Sequence, residues 1–96
     1  MHGVEDRPAP LEVVVRVRRE WLDMFGRICA ANLTGPLPGA AGEWTQVRLR
    51  FAAVKAARTL LSFGANVEVM SPPAVRADLA AVAAEITDLY SNVRLG

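Results

Sequence analysis

Hydrophobic and polar residues alternate along residues 11–18, where Val13, Val15 and Val17 fall on one side of an extended chain and Val14, Arg16 and Arg18 on the other. A period-two run rich in β-branched residues predicts a strand with one buried face and one wetter face. Residues 19–29 change period. Trp21, Leu22, Phe25, Ile28 and Cys29 recur at spacings of three and four, which predicts a helix with a single apolar stripe. Gly26 weakens that helix by about 1 kcal/mol relative to Ala if it is interior.

Residues 30–34, Ala-Ala-Asn-Leu-Thr, fit either an extension of the helix or a short edge strand. Gly35, Pro36, Pro38, Gly39 and Gly42 then mark an irregular loop. Residues 43–51 return to alternation, with Thr45, Val47, Leu49 and Phe51 on one face and Trp44, Gln46, Arg48 and Arg50 on the other. Residues 53–63 carry Val54, Ala57, Leu60, Leu61 and Phe63 at helical spacing. Gly64 sits where a left-handed residue would end that helix, a backbone glycine adopts without a Cβ penalty. Val67 and Val69 flank Glu68 in a short strand. Ser71 is placed to cap a last helix, about 73–91, entered through Pro73 and striped by Val75, Leu79, Val82, Ala83, Ile86, Leu89 and Tyr90.

The order strand, helix, (short strand), strand, helix, strand, helix predicts an α+β fold. It is a ferredoxin-like sandwich, with helices on one face of a sheet of antiparallel character and a C-terminal helix. Residues 1–10, with Pro8 and Pro10 and no periodicity, read as a flexible N-terminal lead-in, leaving 11–92 as the domain.

Composition narrows the function classes. At 96 residues the chain forms one domain with a modest core, so a sister subunit or attached domain would add stability. Eleven basic against ten acidic residues leave a net charge of +1, unlike a dedicated duplex-DNA binder. Abundant Ala and Arg beside a single Lys suggest a bacterial source. One cysteine, Cys29 between Ile28 and Ala30, permits no intramolecular disulfide and reads as a buried structural thiol, which fits the cytoplasm. No apolar run approaches the roughly 20 residues of a membrane span, and no signal peptide is expected from the polar start.

Catalytic chemistry lacks its residues. The only histidine is His2, so neither a hydrolytic triad nor a metal site assembles, and no cofactor is expected. Asp78 and Glu85 fall at helical positions typical of a solvated face. The arginines are more informative. Arg16, Arg18, Arg48 and Arg50 leave the open faces of two strands that lie adjacent in a ferredoxin-like sheet. Their planar guanidinium groups suit phosphate or carboxylate, and Trp44 on the same face is a stacking candidate for a base. Glu68 and Glu12 leave that face too, and an ordinary surface ladder of Arg–Glu pairs is the competing reading.

The segment Val47-Arg48-Leu49-Arg50-Phe51, the run Leu60-Leu61-Ser62-Phe63-Gly64-Ala65-Asn66-Val67-Glu68-Val69, the Ser71-Pro72-Pro73 helix start and the helix ending Leu89-Tyr90 belong together. With Val13-Val14-Val15-Arg16-Val17 ahead of them, they resemble the C-terminal extension (WCX) domain of WYL-domain helix-turn-helix transcription regulators. The resemblance covers about residues 12–90. It implies a ferredoxin-like fold and a non-catalytic regulatory role. That role is to help dimerisation and to help the neighbouring WYL domain sense a ligand, in some members single-stranded DNA. The expected partners are a second copy or attached WYL and helix-turn-helix domains, with single-stranded nucleic acid or a small anionic ligand on the arginine face. The alternative is a small-molecule-sensing module of the same fold not tied to transcription.

Overall fold

The computed structural model describes residues 10–91. All but the last residue of the expected lead-in, 1–10, and the end of the expected domain at residue 92 lie outside those described residues. The three strands are β1, Leu11–Arg18, β2, Trp44–Phe51, and β3, Val67–Ser71. They form one antiparallel sheet in the order β2-β1-β3, so β1 is central. The strand at 43–51 is adjacent to β1, as expected, but it is not a second central strand.

The ladder between β1 and β2 runs unbroken from Leu11 opposite Phe51 to Arg18 opposite Trp44. The Arg19 N–H adds a 2.9 Å bond to the Glu43 carbonyl beyond it. Period-two burial follows the prediction: Val13, Val15, Val17, Val47, Leu49 and Phe51 are buried. Thr45 is buried with them, its hydroxyl accepting the Ala41 N–H at 3.1 Å. That bond offsets the cost of placing a polar group in the core.

The helical elements cover this one face. A 3-10 turn, Arg19–Trp21, leads into α1, Leu22–Ile28, whose Leu22 and Phe25 are buried. Cys29 is buried as expected. Trp21 anchors the core edge-to-face against Phe63, with ring centroids 6.3 Å apart. Ile28 does not join the stripe. It is 55% exposed because α1 ends there and only its inner positions reach the sheet.

Residues 30–34 are a mixture of both expectations. Ala30–Asn32 is a 3-10 turn, and Leu33 makes one isolated antiparallel bridge to Leu49. The Asn32 side chain donates to the Arg50 carbonyl at 3.0 Å, and Thr34 donates to the Arg48 carbonyl. This segment therefore covers carbonyls on the outer edge of β2, the usual protection of an edge strand.

The segment after β2 is a correction to the expected α-helix. Val54–Asn66 is 3-10 in character, with Ala57, Leu60 and Phe63 buried. Those residues recur every three positions, so they line up on one face at three residues per turn. Gly64 breaks the segment with φ 59° and ψ −135°. That is not the left-handed helical cap expected. It lies near the first central position of a type II′ turn, the mirror of the type II geometry. The Asn66 side chain closes the turn on the Phe63 carbonyl at 3.1 Å.

α2 spans Pro73–Ser91, the range expected from its stripe. Ser71 does not cap it. Ser71 is the last residue of β3, opposite Val14, and the Pro72 carbonyl accepts the first helical N–H groups, from Val75 and Arg76. Val75 alone is fully buried from this helix. The stripe continues, but Ile86, Leu89 and Tyr90 are exposed, because α2 runs past the end of the surface it packs on.

Candidate functional site

Alternation carries Arg16 and Arg18 from β1, and Trp44, Arg48 and Arg50 from β2, to the sheet face opposite the helices. The register sets their spacing. Arg18 stands opposite Trp44, Arg16 opposite Gln46, Val14 opposite Arg48 and Glu12 opposite Arg50. Arg50 is thus six residues along β2 from Trp44, about 20 Å at the usual strand rise of roughly 3.3 Å per residue. The four arginines share one face as expected, but as a stripe and not as one cluster.

Arg16 and Arg18 converge on Trp44, their guanidinium carbons 4.3 Å and 4.4 Å from its ring centroid. Each such contact contributes about 0.5–1 kcal/mol at an exposed site. The indole expected as a free stacking surface is therefore already held by two arginines.

Carboxylates balance part of this charge. Arg16 binds Glu68 at 2.7 Å through both Nε and Nη2. Arg18 reaches Glu43 at 3.3 Å, and Arg48 approaches Glu12 at 4.0 Å. The expected pairings of Glu68 and Glu12 are present. Among the described residues Arg50 makes no ion pair. Two participants escaped the sequence reading. Glu43 stands just before β2, and Arg76 from the first turn of α2 lies 3.6 Å from Glu68 while donating to the Val69 carbonyl at 2.7 Å. Glu43 is signalled by its place beside Trp44. Arg76 becomes visible only once α2 is folded back on β3.

These pairs are loosely held. Their side chains are 38–74% exposed, and exposed pairs contribute about 0–1 kcal/mol each. An incoming anion can replace a carboxylate partner at little cost. Among the described residues no three His, Cys, Asp or Glu side chains gather to hold a metal ion. Burial raises the Cys29 thiol pKa, which keeps it protonated and unreactive. No described helix is long and apolar enough to cross a membrane.

The described residues thus form an α+β domain with a three-stranded antiparallel sheet, helical elements on one face and an arginine stripe on the other. Residues 9–87 match the WCX domain, and the chain belongs to that family, known as the C-terminal extension of WYL-domain transcription regulators. No curated protein and no solved structure matches the chain.

Proposed function

We propose that this domain is the non-catalytic regulatory module of a bacterial WYL-type transcription regulator acting in the cytoplasm. Its open sheet face receives an anionic effector, for which single-stranded nucleic acid is the best-fitting class. Family membership supplies the regulatory context. The observation that carries the ligand class is the Arg16–Trp44–Arg18 stack continued by Arg48 and Arg50 on one face. A strand laid along this stripe would place phosphates against guanidinium groups, and a base would reach the Trp44 indole by displacing Arg16 or Arg18 from its face. The order β2-β1-β3, with the Leu33 bridge outside β2, supports a ferredoxin-like sheet whose fourth strand is reduced to a single pair.

Regulation follows if the effector favours one arrangement of the attached WYL and helix-turn-helix domains, or of a sister subunit, over another. The exposed Ile86, Leu89 and Tyr90 of α2 supply an apolar surface for such an assembly.

Titration of a labelled single-stranded oligonucleotide tests the reading. Binding should weaken with salt, with a log–log slope of at most about −3 for four arginine–phosphate contacts. It should fall in the Arg48→Ala/Arg50→Ala variant. Salt-insensitive binding, no binding, or full binding by that variant would refute the nucleic-acid assignment.

A further inference from the structure

A groove of about 500 Å3 opens beside β3, between the 3-10 segment and α2. That volume falls within the roughly 300–1,000 Å3 typical of small-molecule sites. Its walls are mainly aliphatic, with Leu60 and Leu61 on one side and Leu79 and Ala83 on the other. The charged residues that line it are Arg16, Glu68 and Arg76.

The charge on those three groups does not cancel. Glu68 is the single carboxylate between two guanidinium groups, held at 2.7 Å by Arg16 and standing 3.6 Å from Arg76. One unit of positive charge is left over. Arg76 is the better placed to supply it. Its Nη1 donates to the Val69 carbonyl at 2.7 Å, yet a guanidinium presents five N–H donors, and the side chain is 51% exposed. An aliphatic groove bearing one surplus cation is complementary to a molecule with an apolar body and one negative charge. A cationic amphiphile would meet repulsion there, and a neutral one would leave Arg76 without a new partner.

We propose that this groove binds a small amphipathic monoanion, its apolar body against Leu60, Leu61, Leu79 and Ala83 and its anionic head on Arg76, with Arg16 behind. The proposal is independent of the nucleic-acid assignment. The leucines and Ala83 take no part in that face, Arg76 touches it only through Glu68, and Arg16 and Trp44 are common to both.

Calorimetric titration of the full chain with octanoate, octanol and octylammonium tests it. Octanoate should bind saturably at one site per chain, with octanol and octylammonium weaker. Arg76→Ala should weaken octanoate about tenfold, the loss expected for one charge-assisted hydrogen bond. Ala83→Trp should block the groove. If that variant fails to melt cooperatively, Ala80→Trp, at an exposed position lining the same groove, replaces it. Arg48→Ala/Arg50→Ala should bind octanoate as the parent does. The proposal is overturned by absent or non-saturable octanoate binding, by octanol binding as tightly as octanoate, or by parental affinity in a folded groove-filling variant. Loss of octanoate binding in Arg48→Ala/Arg50→Ala would also overturn it, by moving the anion to the open sheet face.

Discussion

Replacing Gly64 by Ala should destabilise the domain by about 1–2 kcal/mol, and the cost should come from the backbone alone. A Cβ built at this position meets no heavy atom within 4 Å, so overpacking contributes nothing. The dihedrals, φ 59° and ψ −135°, lie in a region that L-residues occupy only at a cost of about 1–3 kcal/mol. Against this, Ala lowers the entropy of the unfolded chain, which returns about 0.4–1 kcal/mol. The net loss corresponds to a fall in melting temperature of roughly 5–15 °C for a domain of this size.

Thermal and urea unfolding followed by circular dichroism would measure it, and two companion variants isolate the cause. Asn tolerates the left-handed helical region, where ψ is positive, but not a ψ of −135°, so Gly64→Asn should be no better than Gly64→Ala. D-alanine, introduced by chemical ligation, has the mirror-image preference and should stabilise by about 0.4–1 kcal/mol. A neutral Gly64→Ala, or recovery in Gly64→Asn, would refute the turn geometry and return this glycine to an ordinary helix cap.

Two further outcomes follow from ionisable groups. Arg58 grips Asp78 with two 2.8 Å bonds that tie the 3-10 segment to α2, and the hydrogen bond from Arg58 holds the Asp78 carboxyl below its ordinary pKa. A depressed folded pKa means the native state binds fewer protons than the unfolded chain. The stabilisation is therefore complete above the ordinary carboxylate range and is lost as pH falls through the folded value; Asp78→Asn should flatten this acid limb in urea titrations, and an unchanged limb would discount the pair. Cys29 is 1% exposed with its pKa raised by burial, so an aromatic disulfide reagent at neutral pH should react only as fast as the domain unfolds; prompt reaction of the native protein would contradict that burial.

The sheet was legible because alternation is local. Val13/Val15/Val17 and Thr45/Val47/Leu49/Phe51 state their buried face without reference to any partner, and the arginine face follows by parity. The 3-10 segment was less legible, because Val54, Ala57 and Leu60 satisfy an α-helical stripe as well as a three-residue repeat. Their α-helical reading was overturned by packing, together with the break at Gly64. The stripe on α2 predicted the helix but not its burial. Periodicity marks an apolar face, and the exposed Leu89 and Tyr90 show that such a face can outrun the domain's own core. The indole clamp needed the Arg18–Trp44 register, which pattern alone does not supply. The groove beside β3 joins residues from five elements and has no local signature.

The ladder between β1 and β3 shifts between Val14 and Val15: Val69 stands opposite Val15, Ser71 opposite Val14, and Met70 is the extra residue. Val69 faces the core, yet Ser71, two positions on, shares the open face with Val14, so the bulge reverses the parity of the strand just before it ends. This makes chain length in β3 a matter of odd and even. Removing one residue there would restore a regular ladder while delivering Pro72 and the start of α2 to the wrong side of the sheet. A family alignment should therefore accept many side chains at Met70, which is 44% exposed, but should not accept a gap.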